Sequence, residues 1–239
     1  MATLASAAPA TPDDQPVGPA VEGWRPRERP SRAPMHGRHC TLEPLDPARH
    51  VDELWQSVSA DAVGSLWTYL SYGPFESAAA YRAWIRSFCL GDDPLFFAVV
   101  DRSSGRAAGL ASYLRIDPSN GVVEVGHLQY SPLLQRTAAA TEAMYLMMRR
   151  AFSELGYRRY EWKCDALNGP SRRAAERLGF RLEGIFRQAG VYKGRSRDTA
   201  WYAALDHEWP RLAAAFEAWL APSNFDGGRQ RSSLASFRT

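Results

Sequence analysis

The segment Gln135-Arg136-Thr137-Ala138-Ala139-Ala140-Thr141 brings together the residue types that can hold a phosphorylated ligand. It opens a helix, and a helix start offers unpaired N–H groups and about half a positive charge, enough for a pyrophosphate. Ala138, Ala139 and Ala140 are small enough to let a bulky anion reach the backbone. Arg136 adds a charge, and Thr137 and Thr141 add hydroxyl donors. A solvent-facing helix start of purely structural origin has a similar composition, and that alternative stays open. Further along, Asp165-Ala-Leu-Asn168-Gly-Pro-Ser171 leaves a strand and opens the next helix. Asn168 and Ser171 are helix-capping types. Their spacing also puts an amide and a hydroxyl at the strand's C-terminal mouth, where open sheets with crossovers bind ligands.

The elements that must position these residues follow from periodicity. Asp46-Pro47 supplies an N-cap and a first-turn proline, and Val51, Leu54, Trp55 and Val58 then mark one helical face. Ser77 caps a second helix carrying Tyr81, Trp84, Ile85 and Phe88, and the aromatic stretch Trp67 to Phe75 lies between the two. Three strands are predicted at Leu95 to Asp101, Arg106 to Ile116 and Val122 to Tyr130, broken by Ser-Ser-Gly and Asp-Pro-Ser-Asn-Gly turns. Such short turns imply an antiparallel meander. A helix from about Thr137 to Leu155, with a methionine-rich core stripe, leads to a buried strand from Tyr160 to Cys164. Together with the third strand these form a parallel crossover. A short helix from about Ser171 to Leu178, strands near Phe180 to Ala189 and Thr199 to Leu205, and a helix from Pro210 to Leu220 complete the order ααβββαβαββα. This is an α+β (mixed α/β) fold whose mostly antiparallel sheet holds one parallel pair.

One folded domain, residues 35–221, is expected between two tails, 1–34 and 222–239, whose Ala, Pro, Arg, Ser and Gly content predicts disorder. The net charge of +3, from 29 Lys+Arg against 26 Asp+Glu, argues against nucleic acid as a partner. Cys40, Cys89 and Cys164 are too few and too scattered for a disulfide frame or a metal site, so reduced thiols and no metal are expected. No apolar run approaches a membrane span, and the first residues lack the pattern of a secretory signal, which predicts a cytoplasmic protein.

The element order, the Gln135-x-x-Ala-x-Ala helix start, and Asn168-x-x-Ser171 followed by Glu176-Arg-Leu-Gly-Phe180 together resemble the GNAT superfamily of acyl-CoA N-acyltransferases. Asp165-x-x-Asn168-x-x-Ser171, Gly184-Ile-Phe-Arg187 and Tyr192-x-x-x-x-Arg197-Asp198 are similar to its Rim-type branch, which acetylates N-termini of ribosomal proteins and includes relatives of unassigned substrate. The likeness covers about residues 38 to 210. It implies that the two parallel strands splay at their C-terminal ends, so that the pantetheine arm of acetyl-CoA, the acyl donor, lies between them like an added strand. Backbone groups of Leu128, Gln129 and Tyr130 would then meet pantetheine. The segment from Gln135 to Ala140 would cradle the pyrophosphate, and Asn168 and Ser171 would lie near the thioester. Two departures stand out. The family's first motif glycine is Ala138 here, and the tyrosine that many relatives use to protonate the leaving thiolate is Ala175. The Rim-type branch shares that second loss, and there the serine matching Ser171 is the proposed acid.

Acyl transfer to an amine needs a neutral amine, a stabilised oxyanion and a protonated leaving thiolate. Glu124, through water, is the candidate base and His127 its competitor; the alternatives are a structural ion pair for Glu124 and a packed or surface role for His127. The amine acceptor, a peptide N-terminus or a small molecule, is expected against Trp67, Tyr69, Tyr72 and Phe75 and the loop holding Tyr192, Lys193 and Asp198. Aromatics there could equally roof the core, and Asp198 could pair with an arginine. A silent acyl-CoA-binding module and a ribosome- or RNA-associated protein are the competing functions, and a homodimer is compatible with any of them.

Overall fold

The computed structural model describes residues 15–238. An eight-stranded sheet runs in the order β1-β2-β3-β4-β5-β6-β8-β7, and its only parallel neighbours are β5 and β6. The strands are β1 (Met35–His36), β2 (Cys40–Pro44), β3 (Leu95–Asp101), β4 (Arg106–Asp117), β5 (Val122–Tyr130), β6 (Arg159–Asp165), β7 (Arg181–Tyr192) and β8 (Arg195–Leu205). Helices α1 (Pro47–Val58) and α2 (Ala78–Phe88) pack on one face of the β2–β4 half, around Leu54, Tyr81, Ile85, Phe96 and Leu110. On the other face lie α3 (Ala138–Arg149) and α5 (Trp209–Leu220), with α4 (Gly169–Leu178) after β6; their core includes Tyr113, Val123, Met147, Tyr160 and Phe216.

The caps form as their residue types dictate. Asp46 accepts from the Ala48 amide at 2.9 Å and Ser77 from the Ala80 amide at 3.1 Å. The α+β architecture and the crossover β5–α3–β6 match the order expected from the sequence, with three differences. Strands β1 and β2 precede α1. They are too short to show periodicity and are fixed by a remote contact: the buried Glu142 carboxylate on α3 accepts the amides of Arg38, His39 and Cys40 at 2.8, 2.6 and 2.8 Å. Gly37 is required there, because a Cβ would lie 2.3 Å from Glu142 Oε2.

Second, α3 ends in a π-helical turn over Arg150–Glu154, where the buried Arg150 guanidinium donates to the carbonyls of Ala33 and Pro34. Third, residues 222–238, expected to be disordered, fold onto the domain. Leu234 is buried, Asn224 bridges the carbonyls of Trp219 and Ser232, and β9 (Phe225–Asp226) pairs with β10 (Arg229–Gln230). A few anchoring side chains, not a repeating apolar pattern, offset the ordering entropy here. At the other end, residues 15–34 form no helix or strand but are held by Trp24, Arg29 and Arg32, which donate to the carbonyls of Ser119, Ile116 and Leu90. The disorder expected for residues 1–14 lies outside the described residues.

Candidate active site

The site begins where β5 and β6 separate. Their parallel register runs Val122↔Arg159, Val123↔Tyr160, Glu124↔Glu161 and Val125↔Trp162, and then stops. Both strands continue, β5 against β4 as far as Tyr130 and β6 against β8 as far as Asp165. The facing edges of Gly126–Tyr130 and Lys163–Asp165 are therefore unzipped. A bulge lies where they part: between Leu110 and Ser112 of β4, His127 and Leu128 together face Ala111, and His127 takes φ +50°.

Helix α3 starts beside this notch. Thr137 is its N-cap; the hydroxyl accepts from the Ala140 amide at 3.1 Å and donates to the Leu134 carbonyl at 2.7 Å. Gln135 and Arg136 are exposed and Ala138 and Ala140 half-buried, so the first turn faces solvent, and its leading amides have no intrahelical acceptor. Several side chains expected to hold phosphate are already engaged. Thr137 is satisfied as a cap, the Gln135 amide donates to the Tyr130 carbonyl at 2.7 Å, and Ala139 turns into the core. Thr141 is buried and accepts from Arg177 at 3.1 Å. Arg177 was not singled out in the sequence, because a basic residue in a last helical turn commonly complements the dipole. It lies over the Trp219 ring, and burial followed by the neighbouring Arg238 lowers its pKa.

Across the notch, Asn168 caps α4 by accepting from the Ser171 amide at 3.1 Å. The Ser171 hydroxyl accepts from Trp162 Nε1 at 3.0 Å. Indole is only a donor, so the serine proton remains available to an acceptor such as sulfur. Burial raises the pKa of the nearby Cys164 thiol, and a hydrogen bond from Ser171 partly offsets this, so that sulfur is the resting partner of the serine proton.

On the α1/α2 face the aromatic segment lies against the β7–β8 turn and the residues after β6. Lys193, in the β7–β8 turn, donates to the Trp67 carbonyl at 2.6 Å, and Tyr69 donates to the Leu167 carbonyl at 3.1 Å. Tyr192 donates to Asp165 at 2.8 Å, and burial together with that carboxylate pushes the phenol up to about 12. Trp67 and Phe75 stack edge-on at 5.3 Å, with Trp67 buried, so these two roof the core. Tyr72 turns to β5, 3.2 Å from His127 Nδ1. His127 is held down to about 4 by burial, with Arg115 adding to the effect.

Two expectations are corrected. Glu124, the candidate base, is 3% exposed, and its Oε2 is committed to Arg115 at 2.7 Å and Lys163 at 2.8 Å. Strand alternation turns it into a ladder that continues from Lys163 to Glu161, Arg159 and Glu183. Asp198, considered as an attractor for a cationic amine, accepts from the Gln188 amide at 2.7 Å and fixes a bulge in β7. Conversely, the Gln129 side chain was overlooked, since only its backbone was considered. It is fully buried and bonds to Tyr72 and Tyr81. The signal was present in the sequence: an amide at a buried strand position must find partners.

Comparison with known proteins agrees with this geometry. A GCN5-related N-acetyltransferase from Brucella melitensis superposes with a TM-score of 0.89 at 51% identity, covering 91% of this chain and 99% of that one. A GNAT-family acetyltransferase from Chromobacterium violaceum superposes at 0.76 with 40% identity over 84% of this chain and all (100%) of its own. The N-acetyltransferase p20 of Bacillus licheniformis is 24% identical over 63% of this chain and 89% of its own length. The model of the acetyltransferase (GNAT) domain matches residues 39–181, more than half of the sequence, and the chain belongs to the GNAT family of acetyltransferases.

Proposed function

We propose that this acetyltransferase moves an acetyl group from acetyl-CoA to a primary amine, a peptide N-terminus or a small molecule, by direct attack, as a cytoplasmic member of the Rim-type branch. One observation carries the reading: strand pairing ends at Val125↔Trp162 beside the solvent-facing start of α3. The edge of β5 at Leu128, Gln129 and Tyr130, which β6 leaves unpaired and Gln135 touches at the Tyr130 carbonyl, suits an amide-bearing arm, and the α3 amides with Arg136 suit its pyrophosphate. A backbone N–H on this edge would face the developing oxyanion, a contribution often worth several kcal/mol. Ser171, whose proton Trp162 does not use, would turn from the Cys164 sulfur to donate to the departing one.

With Glu124 held in its ladder, the base is left to water. That suffices for an α-amine with a pKa near 8, since an appreciable minority is already neutral at physiological pH. Incubation with acetyl-CoA and a panel of amines and peptides, following free thiol, tests the reading. Amine-dependent thiol release is expected. Binding of acetyl-CoA without it would instead identify a silent acyl-CoA-binding module.

A further inference from the structure

At the mouth of the notch, four side chains from three elements form an uncharged chain. Tyr81 on α2 donates to Gln129 Oε1 at 3.0 Å, Gln129 Nε2 donates to the Tyr72 hydroxyl at 3.3 Å, and that hydroxyl lies 3.2 Å from His127 Nδ1. Tyr81 and Gln129 are fully buried. His127 is walled by Tyr72, Phe88 and Phe96 at ring distances of 5.7, 5.2 and 5.4 Å.

The direction of this chain can be decided by counting donors. If it ran the other way, Gln129 would turn its amide nitrogen to Tyr81, Tyr72 would donate to Gln129, and His127 would carry its proton on Nδ1. The buried Tyr81 hydroxyl would then have no acceptor among the described residues. Stranding a buried donor costs about 1–3 kcal/mol in general, a factor of about 5 to 150. In the observed direction every group is used. Gln129 occupies a lone pair of Tyr72, the Tyr72 proton goes to His127 Nδ1, and the imidazole proton must sit on Nε2. That atom has no partner among the described residues and is not fully enclosed. The backbone supports a functional placement: His127 takes a left-handed φ of +50° just beyond Val125, the last residue of β5 paired with β6.

We infer that Tyr81, Gln129 and Tyr72 lock His127 as the neutral Nε2–H tautomer, and that this imidazole donates to an oxygen of the acceptor, the carbonyl next to the attacking amine in a peptide N-terminus. His127 is thus a specificity-determining donor, not a base, and the other three are positioning residues. Arg115 on β4 is the charge that acts on it, Tyr72 in the α1–α2 connection is its hydrogen-bond partner, and Tyr81 and Cys89, of α2 and its C-cap, lie beyond Tyr72. Among these, only Arg115 bears a charge near neutral pH.

The substrate half of the inference rests on the acetyl transfer proposed above; the tautomer half does not. Nitrogen NMR of histidine-labelled protein at neutral pH should show His127 protonated on Nε2, with a bare Nδ1 that changes in Tyr72→Phe. A proton on Nδ1, or a tautomer ratio unaffected in Tyr72→Phe, overturns the relay. For the substrate half, His127→Ala should lose about 5- to 30-fold in kcat/KM on an α-amino amide and much less on an alkyl amine without a carbonyl. Equal losses on the two overturn the assignment of the recognised oxygen. Absence of transfer to either amine by the unaltered protein would sink the proposed reaction and leave the NMR result standing. Should His127→Ala fail to fold, His127→Gln, which retains an N–H donor, takes its place and must keep the preference for the amide; losing it counts against the inference.

Discussion

Two stretches of one strand face handle polarity in opposite ways. Where β5 and β6 are zipped, Glu124 joins a ladder of full charges: Arg115, Glu124, Lys163, Glu161, Arg159 and Glu183. Where the strands part, the same face of β5 carries Gln129 and His127, linked to Tyr72 and Tyr81 without a charge. Desolvated charges demand close, permanent partners, and such partners hold a parallel register. Neutral hydrogen-bond groups cost less to bury and keep one end free, so a ligand can complete them. Charge here serves the scaffold, and oriented dipoles serve the opening.

The largest effect should come from the centre of the ladder. Lys163 Nζ sits 2.8 Å from both Glu124 and Glu161, and its side chain is 8% exposed. Lys163→Met keeps the volume but leaves two buried carboxylates facing each other, and urea unfolding should show a loss of about 3–5 kcal/mol. A loss below about 1 kcal/mol would mean that the ladder does not secure the zipped half.

The opening should respond to pH instead. His127 is neutral in the fold down to about 4, against about 6.5 when unfolded. Between those values the unfolded chain binds more protons, so stability is full above pH 6.5 and falls as pH drops toward 4, by up to about 3 kcal/mol. Carboxylates with lowered pKa, such as Glu161 and Asp101, lose their contributions at and below the lower edge of that window. His127→Gln should flatten the unfolding profile across pH 4 to 6.5. An unchanged slope would place the histidine in water.

How much of this was legible in sequence follows from the range of the forces. Strands β3 and β5 begin and end where the turn residues put them, and β5 runs from Val122 to Tyr130 as read, because turns and alternation are local. The caps at Asp46 and Ser77 are local too. The parting of the strands was legible only through family resemblance, since nothing in the alternation of Val122 to Tyr130 marks where pairing stops. The fates of Glu124 and Gln129 depended on Lys163 and Tyr81, distant in sequence, and the order of the C-terminal residues hangs on anchors such as Leu234.

On the α4 side of the notch a smaller, purely kinetic effect is expected. Ser171→Ala removes the hydroxyl proton that Trp162 does not engage. The protein should remain folded and bind acetyl-CoA nearly as before, while turnover falls about tenfold, the weight of one hydrogen bond to a charged leaving group. Steady-state kinetics with a coupled thiol readout checks this, and wild-type turnover would remove Ser171 from the reaction.

The smallest effect tests whether the two stretches are independent. Arg115 closes the ladder at its rim, with a side chain 62% exposed against 4% for Glu124. Water replaces most of what it supplies, so Arg115→Ala should cost no more than about 1 kcal/mol, because Lys163 still holds the carboxylate. Arg115 is also the charge that helps keep His127 neutral, second to burial. Its removal should therefore move the His127 titration slightly upward, while the imidazole proton stays on Nε2. If the titration moved most of the way to 6.5, charge and not burial would control the imidazole, and the division between a charged scaffold and a neutral opening would collapse.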